Sequence, residues 1–173
     1  YSDIKLSSKE IDDNEILTVS FKVKNTGTVD GAEVCQLYVA PPESKIFKAP
    51  KELKGFKKVF LKAGEEKEVE LQLNKRSFAF YNVNINDWHV ESGDYKIFVG
   101  ASSREILLKE SVKVNSSIEA EVPDYSEKAP VYYNGDMAFA TDDEFVAVLG
   151  HAIPERERDM SLPIDKNCTL EYA

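Results

Sequence analysis

Two long runs in this chain place an apolar residue at every second position. Leu17, Val19, Phe21 and Val23 alternate with Thr18, Ser20, Lys22 and Lys24, and Val69, Leu71 and Leu73 alternate with Glu68, Glu70 and Gln72. A period of two sets one face of a strand on a core and the other in water, and it is incompatible with an amphipathic helix. Further strands are expected at 32–39, 53–61, 78–81, 95–100 and 106–114, with a weaker one at 3–7. Asn25-Thr26-Gly27, Asp30-Gly31, Pro41-Pro42, Ala63-Gly64-Glu65 and Ser92-Gly93-Asp94 separate them with residues that preset a bend or tolerate positive φ. Short strands at this spacing, with no competing helical period before Val114, predict an all-β fold over residues 1–115: two antiparallel sheets packed as a sandwich.

The segment Pro41–Pro50 is too long and too rich in proline for a tight hairpin, so a surface excursion between sheets is expected. Lysines 45, 48, 51, 54, 57, 58 and 62 crowd into it and the strand that follows. They suit either a patch for an acidic polymer or a sheet edge kept soluble. The second reading is preferred, because Glu43 and Glu52 interrupt the run and no arginine joins it.

After Val114 the texture changes. Asn115-Ser116-Ser117, then Glu119, Glu121, Pro123 and Asp124, has the composition of a linker. Apolar residues return at Val131, Tyr132, Tyr133, Met137 and Phe139. Thr141-Asp142-Asp143-Glu144 is a capping box that opens a helix near 142–149, and Gly150 stops it. A helix of two turns needs something to pack on. Residues 116–173 therefore read as an extension with one short helix, charged and unpatterned from Pro154 to Asp159, and more mobile than the sandwich.

Charge divides the chain at the same place. Residues 1–115 hold 18 basic and 18 acidic side chains, and residues 116–173 hold 4 and 13, so the extension carries the whole net charge of −9. An acidic balance argues against nucleic acid as a partner, since phosphates are neutralised by clustered Lys and Arg. No run approaches the roughly 18 to 20 apolar residues of a membrane-spanning helix, so no membrane partner is expected. The chain opens on Tyr1 rather than Met, and an upstream segment is expected. Two cysteines, Cys35 and Cys168, are too few for a disulfide scaffold and lean toward a reducing cytoplasm. Cys35, mid-strand, reads as an inert buried thiol, and nothing assigns a partner to Cys168.

Signatures of chemistry are sparse. The two histidines, His89 and His151, have no metal-ligand neighbours at working spacing, so neither a metal nor another cofactor is expected. His89 reads as a surface or partly buried packing residue. There is no Gly-x-Ser-x-Gly elbow and no phosphate-binding glycine loop. Paired carboxylates of the glycosidase kind are harder to exclude, since any two of the 31 acids could stand across a cleft, but a sandwich core without a recognisable cleft argues against them. Phe78, Phe80, Tyr81, Trp88, Tyr95 and Phe98 could form a sugar-stacking platform, but core packing is the plainer account. The sequons Asn115-Ser116-Ser117 and Asn167-Cys168-Thr169 matter only in a glycosylating cell.

A longer ordered set carries more information. Lys24-Asn25-Thr26-Gly27, Asp30-Gly31-Ala32-Glu33-Val34, Gln36-Leu37-Tyr38-Val39, Pro50-Lys51-Glu52-Leu53-Lys54-Gly55-Phe56, Leu61-Lys62-Ala63-Gly64-Glu65, Phe78-Ala79-Phe80-Tyr81, Trp88, Gly93-Asp94-Tyr95 and Val99-Gly100-Ala101-Ser102-Ser103-Arg104-Glu105-Ile106 occur in that order. Together they resemble the fibronectin type III-like domain of glycoside hydrolase family 3 β-glucosidases, over about half the chain. One departure is Ala49, where the family commonly has Arg before the proline. Phe145, Leu149-Gly150, Ile153-Pro154 and Asn167-Cys168-Thr169 are similar to the linker that leads to a (β/α)8 barrel in members with inverted domain order, with His151 in place of a frequent Arg.

The resemblance implies an immunoglobulin/fibronectin type III-like antiparallel β-sandwich. It implies that the nucleophile, an aspartate of the barrel, and the acid/base of an α/β sandwich domain lie outside these residues, so that no catalytic residue is expected here. The implied role is structural: a module that braces the neighbouring catalytic domains of the same polypeptide, its excursion (Pro41, Pro42, Lys45, Phe47, Lys48, Pro50) reaching an interdomain contact or the rim of an active site. The alternative is a carbohydrate-binding or adhesion module with weak sugar contact.

Overall fold

The computed structural model describes residues 1–154. The two alternating runs become β3 (Leu17–Lys24) and β6 (Glu66–Leu73), paired antiparallel with Leu17 opposite Leu73 and Phe21 opposite Val69. With β1 (Ser2–Leu6) on the other side of β3 they form one sheet, in the order β1-β3-β6. The second sheet runs β2-β10-β9-β4-β5, from β2 (Glu10–Asp12), β10 (Ile106–Asn115), β9 (Gly93–Gly100), β4 (Gly31–Ala40) and β5 (Glu52–Leu61). β7 (Phe80–Asn82) and β8 (Asp87–His89) make a separate hairpin.

The core lies where the inner faces meet. Leu17, Val19, Phe21, Val69 and Leu73 from the first sheet oppose Leu37, Val39, Ile97, Val99, Val112 and Val114 from the second, all essentially without exposure. Each such side chain contributes roughly 1.5–3 kcal/mol through its removal from water. Cys35 is buried among them with a free thiol, and burial pushes that thiol above its ordinary pKa. β5 is the open edge of its sheet. Lys57 and Lys58 stand exposed on it, while Lys54 is paired with Glu52 (2.6 Å).

Three local expectations are corrected. β2 pairs parallel with β10, Ile11 opposite Val114, so the second sheet is mixed rather than wholly antiparallel. The chain leaves β1, passes from one sheet to the other at Ser7–Lys9, and reaches β2 with one buried apolar residue, Ile11, too little to register as a period. Residues 75–78 form one helical turn, α1 (Lys75–Phe78), and not the beginning of a strand. The turn swings Phe78 into the core, and β7 starts only at Phe80. His89 is a buried residue of β8, 3% exposed.

Beyond β10 the chain is a packed strap rather than a free linker. Pro123, Tyr125, Ala129 and Val131 are buried. One turn of helix, α2 (Val131–Asn134), and a 3-10 turn at Met137–Phe139 lead to α3 (Asp142–Leu149). α3 begins at the Thr141–Glu144 capping box and ends at Gly150, whose φ of 80° suits glycine and whose Cα lies so close to Val83 that a Cβ would meet it at 2.9 Å. The charged stretch 155–159, Asn167 and Cys168 lie outside the described residues.

One residue with a buried carboxylate links three segments. The Asp13 side chain is wholly buried, the residue's backbone N–H donates to Asn115 O (2.9 Å), and Lys75 Nζ of α1 lies 3.1 Å from Oδ2. Burial pushes this carboxyl up, but the Ser117 hydroxyl and N–H and the Lys75 ammonium together hold it below its ordinary value. A depressed carboxyl stabilises the fold above its unfolded pKa, about 3.9, and that stability is lost as pH falls through the folded value, so the window lies below about pH 4. Lys75→Met leaves the buried charge without its cation, so thermal melts from pH 2 to 6 should show the acid loss beginning at higher pH than in the parent chain. A second expectation concerns the β9–β10 turn, where a Cβ on Gly100 would sit 2.0 Å from Glu105 O. Gly100→Ala forces the turn backbone to move and should cost about 1–3 kcal/mol in urea denaturation.

Candidate functional site

The excursion between β4 and β5, α1 and the β7–β8 hairpin enclose a cleft against the sandwich core. Its volume is about 490 Å³, and β5 adds to its lining. Its floor is core: Val39, Phe78, Phe80 and Tyr95. The Tyr95 hydroxyl is used internally, donating to Glu91 O (3.0 Å), and burial with the nearby Glu91 charge raises its pKa.

The excursion is held from below by one carboxylate. Glu91 accepts from Ser44 Oγ at 2.7 and 2.8 Å and from Lys48 Nζ at 3.0 Å, and both charged side chains are 12% exposed. The Lys48 ammonium also sits 4.6 Å from the Phe80 ring centre. Pro42 packs directly on Gly93, where a Cβ would lie 3.0 Å from its ring carbons. Of the residues singled out from sequence, Pro41, Phe47 and Lys48 line the cleft. Pro42 lies against Gly93, Lys45 is exposed with its carbonyl engaged, and Pro50 is exposed outside the cleft.

The opposite wall carries Arg76 and Trp88. The Arg76 guanidinium lies 3.3 Å from the centre of the Trp88 ring, and Tyr81 meets the same ring edge-on at 5.6 Å. One face of the indole is thus occupied by a cation. Phe78, Phe80 and Tyr95 are core, and Phe98 is half-buried with Lys109 above it, so the six aromatics do not assemble into an open platform. Glu52 is the one carboxylate that lines this cleft, and it is paired with Lys54. Among the described residues no group of three His, Cys, Asp or Glu is placed to hold a metal ion, and no helix is long and apolar enough to cross a membrane.

Glu91 and Arg76 escaped the sequence reading, and Tyr133, which donates to Lys45 O, was read only as a returning apolar residue. Each acts on a partner far along the chain, and no local pattern marks it; the Ser92-Gly93-Asp94 turn signal beside Glu91 announced a bend and nothing of its charge.

Residues 33–103 match the family described as fibronectin type III-like domain. The sandwich is a fibronectin type III-like domain. The chain is 56% identical over 119 residues to thermostable β-glucosidase B of Acetivibrio thermocellus, covering 69% of itself and 16% of that protein. It is 54% identical over 89 residues to an exo-α-(1→6)-L-arabinopyranosidase of Bifidobacterium breve, covering 51% of itself and 12% of that protein. Among solved structures, the Bifidobacterium adolescentis GH3 β-glucosidase is similar at a TM-score of 0.60 and 37% identity, over 77% of this chain and 20% of that one. The Listeria innocua β-glucosidase in complex with glucose is similar at 0.59 and 37% identity, over 68% and 16%. The chain spans no more than about a fifth of the length of these relatives.

The buried pair beneath the excursion predicts its own double-mutant cycle. Glu91→Ala leaves Lys48 half-buried without its carboxylate and should cost about 3 kcal/mol in urea denaturation, while adding Lys48→Met should restore part of the loss.

Proposed function

We propose that this chain is the non-catalytic, domain-bracing module of a larger β-glucosidase-like glycoside hydrolase. The observation that carries the reading is the partial match: at 56% identity the chain spans 16% of a β-glucosidase. The cleft supports it, because its one lining carboxylate is paired with a lysine, whereas glycoside hydrolysis uses two carboxyls flanking the scissile bond. In this reading residues 1–115 are the domain and residues 116–173 the connection toward a catalytic barrel in a polypeptide of inverted domain order. A retaining mechanism, with nucleophile and acid/base in the neighbouring domains, belongs to the same proposal. The excursion, through Pro41, Pro42, Lys45, Phe47, Lys48 and Pro50, is the element offered to those domains. The carbohydrate-binding alternative has less support, since Arg76 occupies one face of the Trp88 ring and Tyr81 packs edge-on against it.

Two measurements on the chain as it stands test this. Purified protein should give no turnover of an aryl β-glucoside above buffer, and millimolar cello-oligosaccharides should leave the fluorescence of its one tryptophan, Trp88, unchanged. Sustained turnover by pure protein overturns the reading, and saturable fluorescence change transfers it to the carbohydrate-binding class.

A further inference from the structure

The excursion Pro41–Pro50 has no ladder to rest on. Prolines at 41, 42 and 50 lack an N–H, and among the described residues no backbone-to-backbone hydrogen bond joins 41–50 to the rest of the chain. Its order comes from side chains on two sides. Glu91 supplies the inner one. The outer one comes from the strap: Phe47 lies 4.9 Å from the Tyr132 ring and 5.7 Å, edge-on, from the Tyr133 ring.

The Tyr133 hydroxyl joins the two segments. It donates to Lys45 O at 2.6 Å and accepts from the Tyr125 N–H at 3.1 Å, using its one proton and one lone pair. The strap is itself anchored by Asn82 of β7. Its Nδ2 donates to Glu121 O at 2.9 Å and lies 3.1 Å from His89 Nδ1, while its Oδ1 accepts from the Asn84 N–H at 3.0 Å. Glu144 at the start of α3 accepts from the Val131 N–H (3.3 Å), tying α3 to α2.

We infer that residues 119–134 form a clamp that fixes the 41–50 excursion in one conformation, with Tyr133 as the positioning residue. The dependence is mutual. α2 is a four-residue turn that has no stability alone and is ordered by packing on Phe47, while Phe47 is ordered by α2. The excursion therefore presents its cleft-lining residues only while the strap is seated. The use made of that order rests on the interdomain reading above, but the order itself does not.

Trypsin reads both partners in the full 173-residue chain. Lys45–Ile46 and Lys48–Ala49 lie in the excursion and Lys128–Ala129 in the strap, and cleavage at each requires local opening. Tyr133→Phe should speed cleavage at the two excursion bonds about tenfold, the scale of one net intramolecular hydrogen bond, and Tyr133→Ala should speed it further. Phe47→Ala should speed cleavage at Lys128. Phe139→Ser, at an exposed strap position, should leave all three rates unchanged. Unchanged excursion cleavage in Tyr133→Ala overturns the inference. So does a rise at these bonds that merely follows a matching rise at Lys22 and Lys96 in the core strands, since that reports a sandwich loosened as a whole. Sugar turnover or binding by the chain would sink the functional proposal and leave these rates as predicted.

Discussion

The contact between two inner faces organises everything else. Leu17, Val19, Phe21, Val69 and Leu73 on one sheet and Leu37, Val39, Ile97, Val99, Val112 and Val114 on the other fill the space between the sheets. A strand slipped by one residue would turn its entire set of apolar side chains to water, so this contact also fixes register. The hairpin β7–β8, α1 and the excursion meet over the core residues Val39, Phe78, Phe80 and Tyr95, and the cleft lies between them.

The periphery is secured differently. Asp13, Asn82 and His89 are the buried polar residues of the described chain, and each lies where an irregular segment meets the sandwich. Asp13 joins the N-terminal segment to α1 through Lys75 and to the end of β10 through Asn115. Asn82 and His89 join the hairpin to the strap at Glu121. Glu91, nearly as buried, holds the excursion. Irregular segments bury little apolar area, so a charged or amide group with few acceptable partners selects their position more sharply than added packing would.

The same division separates what was legible in the sequence from what was not. The Leu17–Val23 alternation and the Thr141–Glu144 box with Gly150 are local patterns, and they led to β3 and to a helix at Asp142–Leu149. Glu10–Asp12 has one apolar residue and a partner more than a hundred positions away, so its parallel pairing left no local trace. The turn at Lys75–Phe78 was hidden because Phe78 and Phe80 alternate as a strand would. At the cleft, the excursion was visible from its prolines and length, whereas the residues that hold it were not. Lys48 and Glu91 are 43 positions apart, and Tyr133 and Lys45 are 88 apart, and periodicity carries no information about such pairs.

Relatives named for unlike sugars match this chain about equally, 56% for a β-glucosidase and 54% for an α-arabinopyranosidase. A module that chose the sugar would have to differ where it touches one. A module that holds a neighbouring domain faces a constraint indifferent to the substrate: its core must pack, and its projecting loop must stay where the neighbour expects it. The proposed bracing role is consistent with the contacts gathered around residues 41–50. Glu91 fixes this proline-rich segment from below and Tyr133 from above, although it contributes little to the core. A segment so fixed has already lost its conformational entropy before it meets a partner, and that loss is then absent from the cost of docking. Under the proposed bracing role, the rigidity of the excursion lowers the cost of meeting a neighbouring domain, and the strap that supplies it counts as part of the same unit as the sandwich.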